Sequence, residues 1–383
     1  NRNILYKVLC GGDCVNNENF DFIDTTAKDN EIAAVNKYAE LTGVQLTEAD
    51  PRRIIFKSVS YMLALAQEVM NDTAKQNFLR FARDNRLDAK GELYGSRGKR
   101  LESEPARTTL QFEISAPQQS DVVIPLGTKT TVNKLIFKTE EEGRVKKGET
   151  TADVQAVCTE NGETGNGFLP GQIDKIVDVF PYYKSVKNIT ESKGGTTVEA
   201  DDQYRERLMA VPESFSVAGP SGAYEFWAKS TSPLITNVRA ISPTPGCVDI
   251  YIWTKYGEPT VELIHQVQEK VSDAEVRPLT DLVTVKVPEK VYYSVDLEYY
   301  IDKENELYAD EIEKNVRNMV AEWVSWQQEK LGRDINTDEL IYRLKNIGVK
   351  RVKIISPVFT KINEHEVAII ESDAQIVNKG TEV

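Results

Sequence analysis

Histidine and cysteine, the side chains that most often bind metals or act as nucleophiles, are scarce here: the 383 residues include 2 histidines and 4 cysteines. A structural zinc site is built from clustered Cys and His ligands, whereas His265 and His365 stand alone in the sequence. Cys10 and Cys14 flank Gly-Gly-Asp, a spacing compatible with half a metal site or a small disulfide. We predict free thiols instead, because unpaired cysteines usually behave as small apolar residues. We expect no metal and no cofactor.

Long apolar runs are also absent. The most apolar window, residues 59–70, contains Gln67 and Glu68. It is far shorter than the roughly 20 apolar residues that a membrane-spanning helix needs. No segment shows the charged and then apolar pattern of a secretory signal. We therefore expect a soluble chain that does not insert into membranes.

Positive charge is in deficit. The chain has 47 Lys and Arg residues against 60 Asp and Glu residues, a net charge of −13, and its pI is about 5.0. Nucleic-acid binding depends on basic side chains that neutralise phosphates, so we expect no nucleic-acid partner. With domains of roughly 100–200 residues each, the length predicts about two to four domains.

Helical periodicity dominates the first part of the chain. Residues 28–41 carry apolar side chains at helical spacing, and Gly43 suits the left-handed position after a helix. A longer helix begins with Asp50 as N-cap and Pro51 at its first position. It extends, as one helix or a kinked pair, to about residue 84. Its apolar stripe consists of Ile55, Val59, Met62, Ala66, Val69 and Met70.

This second helix is too long for its surroundings. A helix of about 30 residues spans about 45 Å, more than a small N-terminal region covers. It packs in an internal hairpin or across another domain, or it joins a bundle with helices from other chains. We favour the bundle. We predict that Ile55, Met62, Ala66 and Val69 face outward and bind a partner.

The remaining pattern predicts an α+β, multi-domain protein. We assign residues 1–104 to an N-terminal arm and the long helices, and residues 105–200 to a small antiparallel β domain. Two small α/β modules follow, at residues 201–288 and 289–383. In the second of these modules we predict one strand over residues 292–301 and one helix over residues 306–331.

Two glycine-rich segments need a separate interpretation. Residues 162–167 lack the Lys-Ser/Thr pair of a phosphate-binding loop and predict a hairpin turn. Residues 214–222 follow Pro212, which ends a helix that starts at Asp201. This segment contains Gly219 and Gly222, and glycines of this kind mark turns and loops. Composition alone predicts an ordinary connector between domains. We predict in addition that this connector acts as a hinge.

No catalytic arrangement emerges from the pattern. Ser221 lies in Gly-Pro-Ser-Gly-Ala, which approaches the G-x-S-x-G nucleophile elbow but lacks its last glycine and the strand that should precede it. Neither histidine has a carboxylate partner that spacing identifies. Asp201 and Asp202 are explained by a helix N-terminus, where carboxylates are stabilising. We predict no catalytic residues and no enzyme.

Six segments, in order along residues 50–357, carry motifs of a known kind. The most specific are Asp-Asp-Gln-Tyr-Arg-Glu-Arg at 201–207, Gly-Ala-Tyr at 222–224 and Arg-Pro-Leu-Thr-Asp at 277–281, and together with the others they resemble the baseplate J-like family. The others lie at residues 87–95, 124–128 and 346–349. The first 45 or so residues have no counterpart in the resemblance.

The resemblance implies a structural wedge subunit in the baseplate of a contractile phage tail or a phage-tail-like bacteriocin (tailocin). Such proteins form the ring around the central hub and rearrange on contraction, after assembly in the bacterial cytoplasm. The implied partners are a second copy, a smaller wedge subunit, the sheath-initiating wedge protein, the hub and spike, and tail fibres. The alternative is a hydrolase that uses Ser221, or a cell-wall-acting tail enzyme. A solitary adhesin is disfavoured because the β region is small.

Overall fold

A computed structural model describes residues 20–216, 219–273, 276–278 and 280–382. Within them it contains eight α-helices and sixteen β-strands. The chain divides into two compact units, Asn1–Lys90 and Gly91–Val383. The predicted α+β class is confirmed: N-terminal helices precede an antiparallel, barrel-like sheet and two further α/β modules. Cys10 and Cys14 lie outside the described residues.

Three helices make up most of the first unit: α1 (Ala27–Thr42), α2 (Pro51–Lys75) and α3 (Asp84–Glu92). Both predicted caps are confirmed. Gly43 ends α1 with a φ of 70°, and Asp50 accepts the N–H of Arg52 at the start of α2. Left-handed backbone at Gly43 costs little because glycine has no Cβ.

The long helix is shorter than predicted. It ends at Lys75 instead of continuing towards residue 84. Its C-cap, Gln76, is buried and accepts the N–H of Arg83 through its side-chain oxygen, which stabilises a turn between α2 and α3. Helix α3 covers Asp84–Glu92, and a 3-10 turn over Gly95–Gly98 follows it.

The β domain is a six-stranded sheet in the order β7-β3-β4-β6-β1-β8, with a two-stranded sheet, β2-β5, beside it. Strand β1 alternates fully between buried and half-buried residues, which places Leu110, Phe112 and Ile114 in the core. The strands are β1 (Pro105–Ile114), β2 (Val122–Ile124), β3 (Lys129–Val132), β4 (Leu135–Thr139), β5 (Gly143–Val145), β6 (Thr151–Asn161), β7 (Lys175–Ile176) and β8 (Tyr183–Asn188).

The predicted hairpin turn at residues 162–167 is wrong. Strands β6 and β7, which flank it, are not neighbours in the sheet. The segment is a connecting loop that contains a 3-10 turn over Glu163–Gly165. Sequence alone does not show which strands pair across such a loop, because pairing depends on contacts distant along the chain.

The central module packs two helices against a three-stranded sheet. Its sheet order is β11-β10-β9, with β9 antiparallel and β11 parallel to β10. Pro212 ends the first helix as predicted, within a 3-10 turn over Val211–Phe215. The elements are α4 (Asp201–Ala210), α5 (Ser221–Lys229), β9 (Ile235–Ile241), β10 (Cys247–Thr254), α6 (Val261–Ser272) and β11 (Leu282–Lys286).

The C-terminal module has two small sheets, β14-β13-β16 and β12-β15. The single strand predicted at residues 292–301 is in fact two strands that pair with different partners. The predicted helix at residues 306–331 is shorter and follows a 3-10 turn. The elements are β12 (Glu289–Tyr293), β13 (Asp296–Asp302), α7 (Ala309–Gln328), α8 (Thr337–Lys345), β14 (Val349–Ser356), β15 (Glu366–Ile370) and β16 (Gln375–Glu382).

The central and C-terminal modules share an apolar cluster. Tyr251 and Trp253 of β10 pack with Leu331 and with Val367 of β15, and all four side chains are buried. This contact joins the two modules through side chains rather than through a continuous sheet.

Candidate interaction surface

Helix α2 turns a mainly polar face towards helix α1. The Nε of Arg53 donates to Oε1 of Glu31 at 2.7 Å, and Nδ2 of Asn30 donates to Oε1 of Gln67 at 2.9 Å. Ser60 is the one fully buried residue of α2. Arg53, Ser60 and Gln67 follow one another at intervals of seven, about two helical turns. They therefore form one stripe along the side that faces the rest of the unit.

Asn71 continues this polar stripe. Its Oδ1 accepts the N–H groups of Phe22 and Ile23, and its Nδ2 donates to the carbonyl of Ile23. One aromatic contact accompanies these hydrogen bonds, between Tyr38 and Phe56, with ring centroids 5.6 Å apart. These hydrogen bonds and this aromatic contact help to hold the helix in its unit.

The opposite side of α2 is apolar and exposed. Ile55 is 65% exposed, Met62 70% and Val69 66%, and Ala66 is also exposed. These four residues were predicted to face outward, and the structure places them there. Their binding to a partner stays a prediction.

The exposed apolar face is wider than the predicted stripe. Between residues 59 and 70, Glu68 is the only charged side chain. Contiguous exposed apolar surface of this kind marks interaction sites on soluble proteins. The polar stripe of Arg53, Ser60 and Gln67 is a sequence signal that the prediction did not use. Its spacing of seven residues indicates the inward side of the helix. The further exposed apolar residues of this face are Ile54, Val59, Tyr61, Leu63, Leu65 and Met70.

The segment at residues 201–208 forms a buried clamp. Arg207 donates from Nε and Nη2 to the two carboxylate oxygens of Glu199, at 2.8 and 2.7 Å, and both side chains are almost fully buried. Arg207 also donates to the carbonyl of Lys99, and the hydroxyl of Tyr204 donates to the carbonyl of Gly98. Bidentate pairs of this kind fix geometry, so these residues hold residues 95–101 against α4.

Gly91 itself lies against this clamp. A Cβ atom on Gly91 would lie 1.9 Å from the hydroxyl oxygen of Tyr204 and 2.2 Å from the carbonyl oxygen of Gly98. Arg100 lies over the ring of Tyr204, 4.4 Å from its centroid, and pairs with Asp201 at 2.8 Å. Two segments that carried the family resemblance therefore meet at one structural site.

Two other segments of the resemblance also meet. The hydroxyl of Tyr224 donates to Oδ2 of Asp281 at 2.8 Å, and Arg277 donates to the backbone carbonyl of Asp281. Burial raises the pKa of the Tyr224 hydroxyl, and the Asp281 carboxylate raises it further. Tyr224 therefore stays protonated and acts as a structural hydrogen-bond donor.

Both predicted hinge glycines lie at close approaches. Gly219 has a φ of +72°, and a Cβ there would lie 2.8 Å from Oδ2 of Asp281. A Cβ on Gly222, in the first turn of α5, would lie 2.9 Å from Oε2 of Glu213. These contacts explain why glycine suits the two positions. The hinge role itself stays a prediction.

The candidate catalytic residues are not brought together. Ser221 is the exposed first residue of α5, and among the described residues no hydrogen bond links it to either histidine. His265 is exposed and lies 3.6 Å from the carboxylate of Glu269, one turn along α6. The sequence reasoning that left the histidines without carboxylate partners is thus wrong for His265.

His365 also lies near carboxylates in the structure. Potential ligand atoms of His365, Glu289 and Glu366 all lie within 4.8 Å of one another. The carboxylate of Glu366 already accepts hydrogen bonds from the backbone N–H and the side-chain amide of Asn363. Pairing of β12 with β15 assembles this cluster, which spacing along the sequence does not reveal.

Two further findings concern thiols and membranes. Cys158 and Cys247 are free thiols, and burial raises the pKa of the Cys158 thiol. No helix in the described part of the chain combines the length and the apolar character that crossing a bilayer requires.

Two family models match the chain. The barrel domain of baseplate J-like protein matches residues 109–195, and the central domain of the same family matches residues 216–287. Both matches support the baseplate J-like family for these two parts of the chain. The first match covers most of the β domain, which contains β1 to β8. The second covers the predicted hinge, the Tyr224–Asp281 contact and the sheet of the central module.

Individual relatives agree with this assignment. Baseplate protein J of Escherichia phage P2 is 27% identical over 190 residues, which make up 48% of this chain and 61% of the P2 protein. The chain thus aligns with less than two thirds of that relative's length. Family and relative together support a baseplate structural component, and a structural family favours a non-enzymatic role.

One solved structure also aligns along the whole chain. It is described as the cryo-EM structure of the anti-feeding prophage (AFP) baseplate, 6-fold symmetrised, and the alignment covers 97% of both chains. Sequence identity is 11% and the TM-score is 0.42, a likeness too low to support an argument about this chain.

Proposed function

We propose that this chain is a structural wedge subunit in the baseplate of a contractile injection particle, either a phage tail or a phage-tail-like bacteriocin. The observation that carries the proposal is the orientation of α2, which buries polar side chains and exposes Ile55, Met62 and Val69. We propose that another chain covers this exposed apolar side. In the proposed particle the subunit contributes to the ring around the central hub and rearranges on contraction.

The partners follow from the family and from the exposed face. We propose that α2 enters a bundle with a second copy of the chain and a smaller wedge subunit. Contacts with the sheath-initiating wedge protein, the hub and spike, and tail fibres complete the proposed set, with assembly in the bacterial cytoplasm. Nucleic acid and membrane lipid are not among the proposed partners.

The number of apolar residues exposed along α2 supports the proposed association. Full burial of a Leu, Ile or Met side chain contributes roughly 1.5–3 kcal/mol. Association costs about 4–15 kcal/mol of translational, rotational and side-chain freedom. The apolar residues exposed along α2, if covered together, offset that cost, and the near absence of charge keeps the desolvation penalty low.

The test is co-expression of the chain with the products encoded beside it, followed by purification and light scattering. We expect a complex of two copies with one smaller partner. Met62→Asp combined with Val69→Asp should abolish it, because both carboxylates would be buried without partners. The matched control is Leu126→Asp combined with Val179→Asp, two exposed apolar residues of the β domain (65% and 72% exposed).

The control should leave the complex intact. If the Met62 and Val69 variant still formed the complex, the bundle assignment would be wrong. For the rearrangement, we propose that motion occurs at Gly219 and Gly222. Contraction that proceeds unchanged with a disulfide formed across residues 214–222 would place the motion elsewhere.

A further inference from the structure

Strand β12 has an unpaired edge. It pairs with β15 alone, in parallel, and the N–H of Glu289 and the carbonyl of Tyr293 make the outermost bonds of that ladder. In a parallel ladder only alternate residues bond to a given neighbour. The backbone groups of Lys290 and Tyr292 therefore point away from β15. No strand or side chain among the described residues supplies partners for them.

A trough of about 940 Å³ is lined in part by residues of β12. Lys290 and Tyr292 line it from β12, whereas β15 contributes only Ile369. Helix α7 packs on the opposite face of this two-stranded sheet, where Trp323 meets Tyr293 of β12, and its residues also line the trough. Because β12 contributes two lining residues and β15 contributes one, we place the trough at the free edge of β12. Its other lining residues are Thr236, Trp253, Thr254, Lys255, Tyr256, Gly257, Glu258, Ala321, Glu322, Ser325, Trp326, Gln328 and Glu329.

The trough is acidic after its internal ion pairs are counted. Lys290 pairs with Glu258, and Lys255 pairs with Glu163 at 3.1 Å. Neither basic side chain of the lining is therefore available to an incoming anion. Glu322 is exposed and makes no ion pair within the part of the chain that the structure describes.

Two features modify this acidic character. Glu329 is also exposed, but Arg333 lies close enough to interact with it electrostatically. Tyr256 and Tyr292 are 56% and 60% exposed and offer flat apolar surface beside the strand edge. The trough therefore suits a segment with both apolar and basic side chains.

We propose that the β12 edge binds an extended segment of a partner chain by strand addition, with a basic side chain of that segment placed near Glu322. In strand addition the main chain supplies hydrogen bonds and alternate side chains supply specificity. The unpaired backbone groups of Lys290 and Tyr292 would make the main-chain hydrogen bonds. The side chains of Tyr256, Tyr292 and Glu322 would provide the specificity. This site is separate from the exposed face of α2 and does not depend on the wedge assignment.

The test uses a fluorescently labelled peptide with alternating Val and Lys, acetyl-(Val-Lys)₄-amide, and its anisotropy with the full chain. We expect saturable binding that weakens at least about tenfold, or 1.4 kcal/mol, when alternate backbone nitrogens of the peptide are methylated. The acidic analogue acetyl-(Val-Glu)₄-amide should bind at least about tenfold more weakly. Equal binding of the methylated peptide would overturn strand addition, and so would no binding at millimolar concentration.

Variants of the chain locate the site. Tyr292→Pro removes the outward N–H without breaking the β15 ladder, and proline is tolerated at free strand edges. Tyr292→Ala removes the ring and keeps the N–H. We expect the proline variant to bind the peptide at least about fivefold more weakly than the alanine variant. Equal affinities would overturn the proposal, provided that circular dichroism shows both variants folded.

Charge reversal gives a second, milder test. Glu322→Lys should weaken binding of the basic peptide about tenfold, whereas Glu311→Lys, on the same helix but outside the trough, should not. Loss of binding in both variants would indicate non-specific charge attraction and contradict the proposal. The Met62→Asp and Val69→Asp variant should bind the peptide as the unaltered chain does, which separates this result from the test of the helix face.

Discussion

Helices α2 and α7 carry similar apolar periodicity but bury opposite kinds of side chain. Helix α7 buries Ile312, Val316, Val320 and Trp323 within the core of the C-terminal module. Helix α2 buries Ser60 and leaves its apolar side in solvent. An apolar stripe therefore shows that a helix has a face to cover, but it does not show which chain covers it.

The difference arises from what lies opposite each helix. Helix α7 lies over strands, and the rings of Tyr293 and Trp323 meet edge to face with centroids 6.0 Å apart. Helix α2 packs against α1, where Asn30 and Glu31 form hydrogen bonds with the polar stripe of α2. The polar side of α2 therefore faces inward, and its apolar side does not. A helix whose inner contacts are polar is free to offer its apolar side to a partner.

The largest effect that tests this comparison is the loss of a buried side chain from α7. Trp323→Ala should lower the free energy of unfolding by about 3–5 kcal/mol, because it opens a cavity in a closed core. Met62→Ala should change it by no more than about 0.5 kcal/mol, since the side chain is 70% exposed. Urea unfolding followed by far-UV circular dichroism measures both.

Trp323→Phe is the matched control. It keeps an aromatic ring and removes an indole N–H that has no hydrogen-bond partner in the described structure, so it should cost less than half as much as Trp323→Ala. If Met62→Ala destabilised the isolated chain as strongly as Trp323→Ala, the apolar face of α2 would be covered within the chain, and the contrast would fail.

An intermediate effect is expected on the polar side of α2. Asn71→Ala removes three hydrogen bonds to Phe22 and Ile23 and should lower the free energy of unfolding by about 1–3 kcal/mol. Met70→Ala, one residue away on the exposed side, should change it by no more than about 0.5 kcal/mol. Hydrogen exchange of the α2 backbone amides measures the change in stability for both variants. The reverse order of effects would show that the two sides have been assigned wrongly.

The smallest effect concerns how α2 begins. Hydrogen bonds from the Arg52 side chain and backbone N–H lower the pKa of Asp50 from 3.8 to about 2. Because the folded pKa lies below the unfolded one, the stabilisation is complete above about pH 4 and is lost as pH falls through about 2. The start of α7 differs, since its N-cap residue, Tyr308, makes no side-chain cap.

Asp50→Asn keeps a capping oxygen but removes the charge. Its stability deficit relative to the unaltered chain should therefore be present at pH 5 and shrink as pH falls from 4 to 2. Thermal unfolding monitored at 222 nm across this range measures the difference. A deficit that stayed constant with pH would show that the carboxylate charge contributes nothing to the start of α2.

Much of the fold was predictable because its signals are local. Asp50, Pro51 and Gly43 define helix ends through their own side chains and backbone preferences. The order of helices and strands, and hence the α+β class, follows from periodicity that each segment carries independently. The outward position of Ile55, Met62 and Val69 was predictable for a related reason: the helix is longer than the region available to cover it.

Other features depended on pairing between distant segments. Residues 292–301 read as one strand, but the chain divides there because β12 pairs with β15 while β13 pairs with β14 and β16. Strand β16, which was not predicted, is mostly exposed and polar and includes Gly380. Its strand conformation depends on its register with β13 rather than on its own composition.

The sequence alone determined which segments are helical or extended, where several helices begin and end, and that α2 carries an apolar side. Only the tertiary structure decided that Tyr224 meets Asp281, that Arg207 is buried with Glu199, and that the free edge of β12 borders a trough. The physical reason is that caps and periodicity act within one or two turns of the chain. Strand pairing, burial of charge and the choice of a covered face depend on residues far apart in sequence.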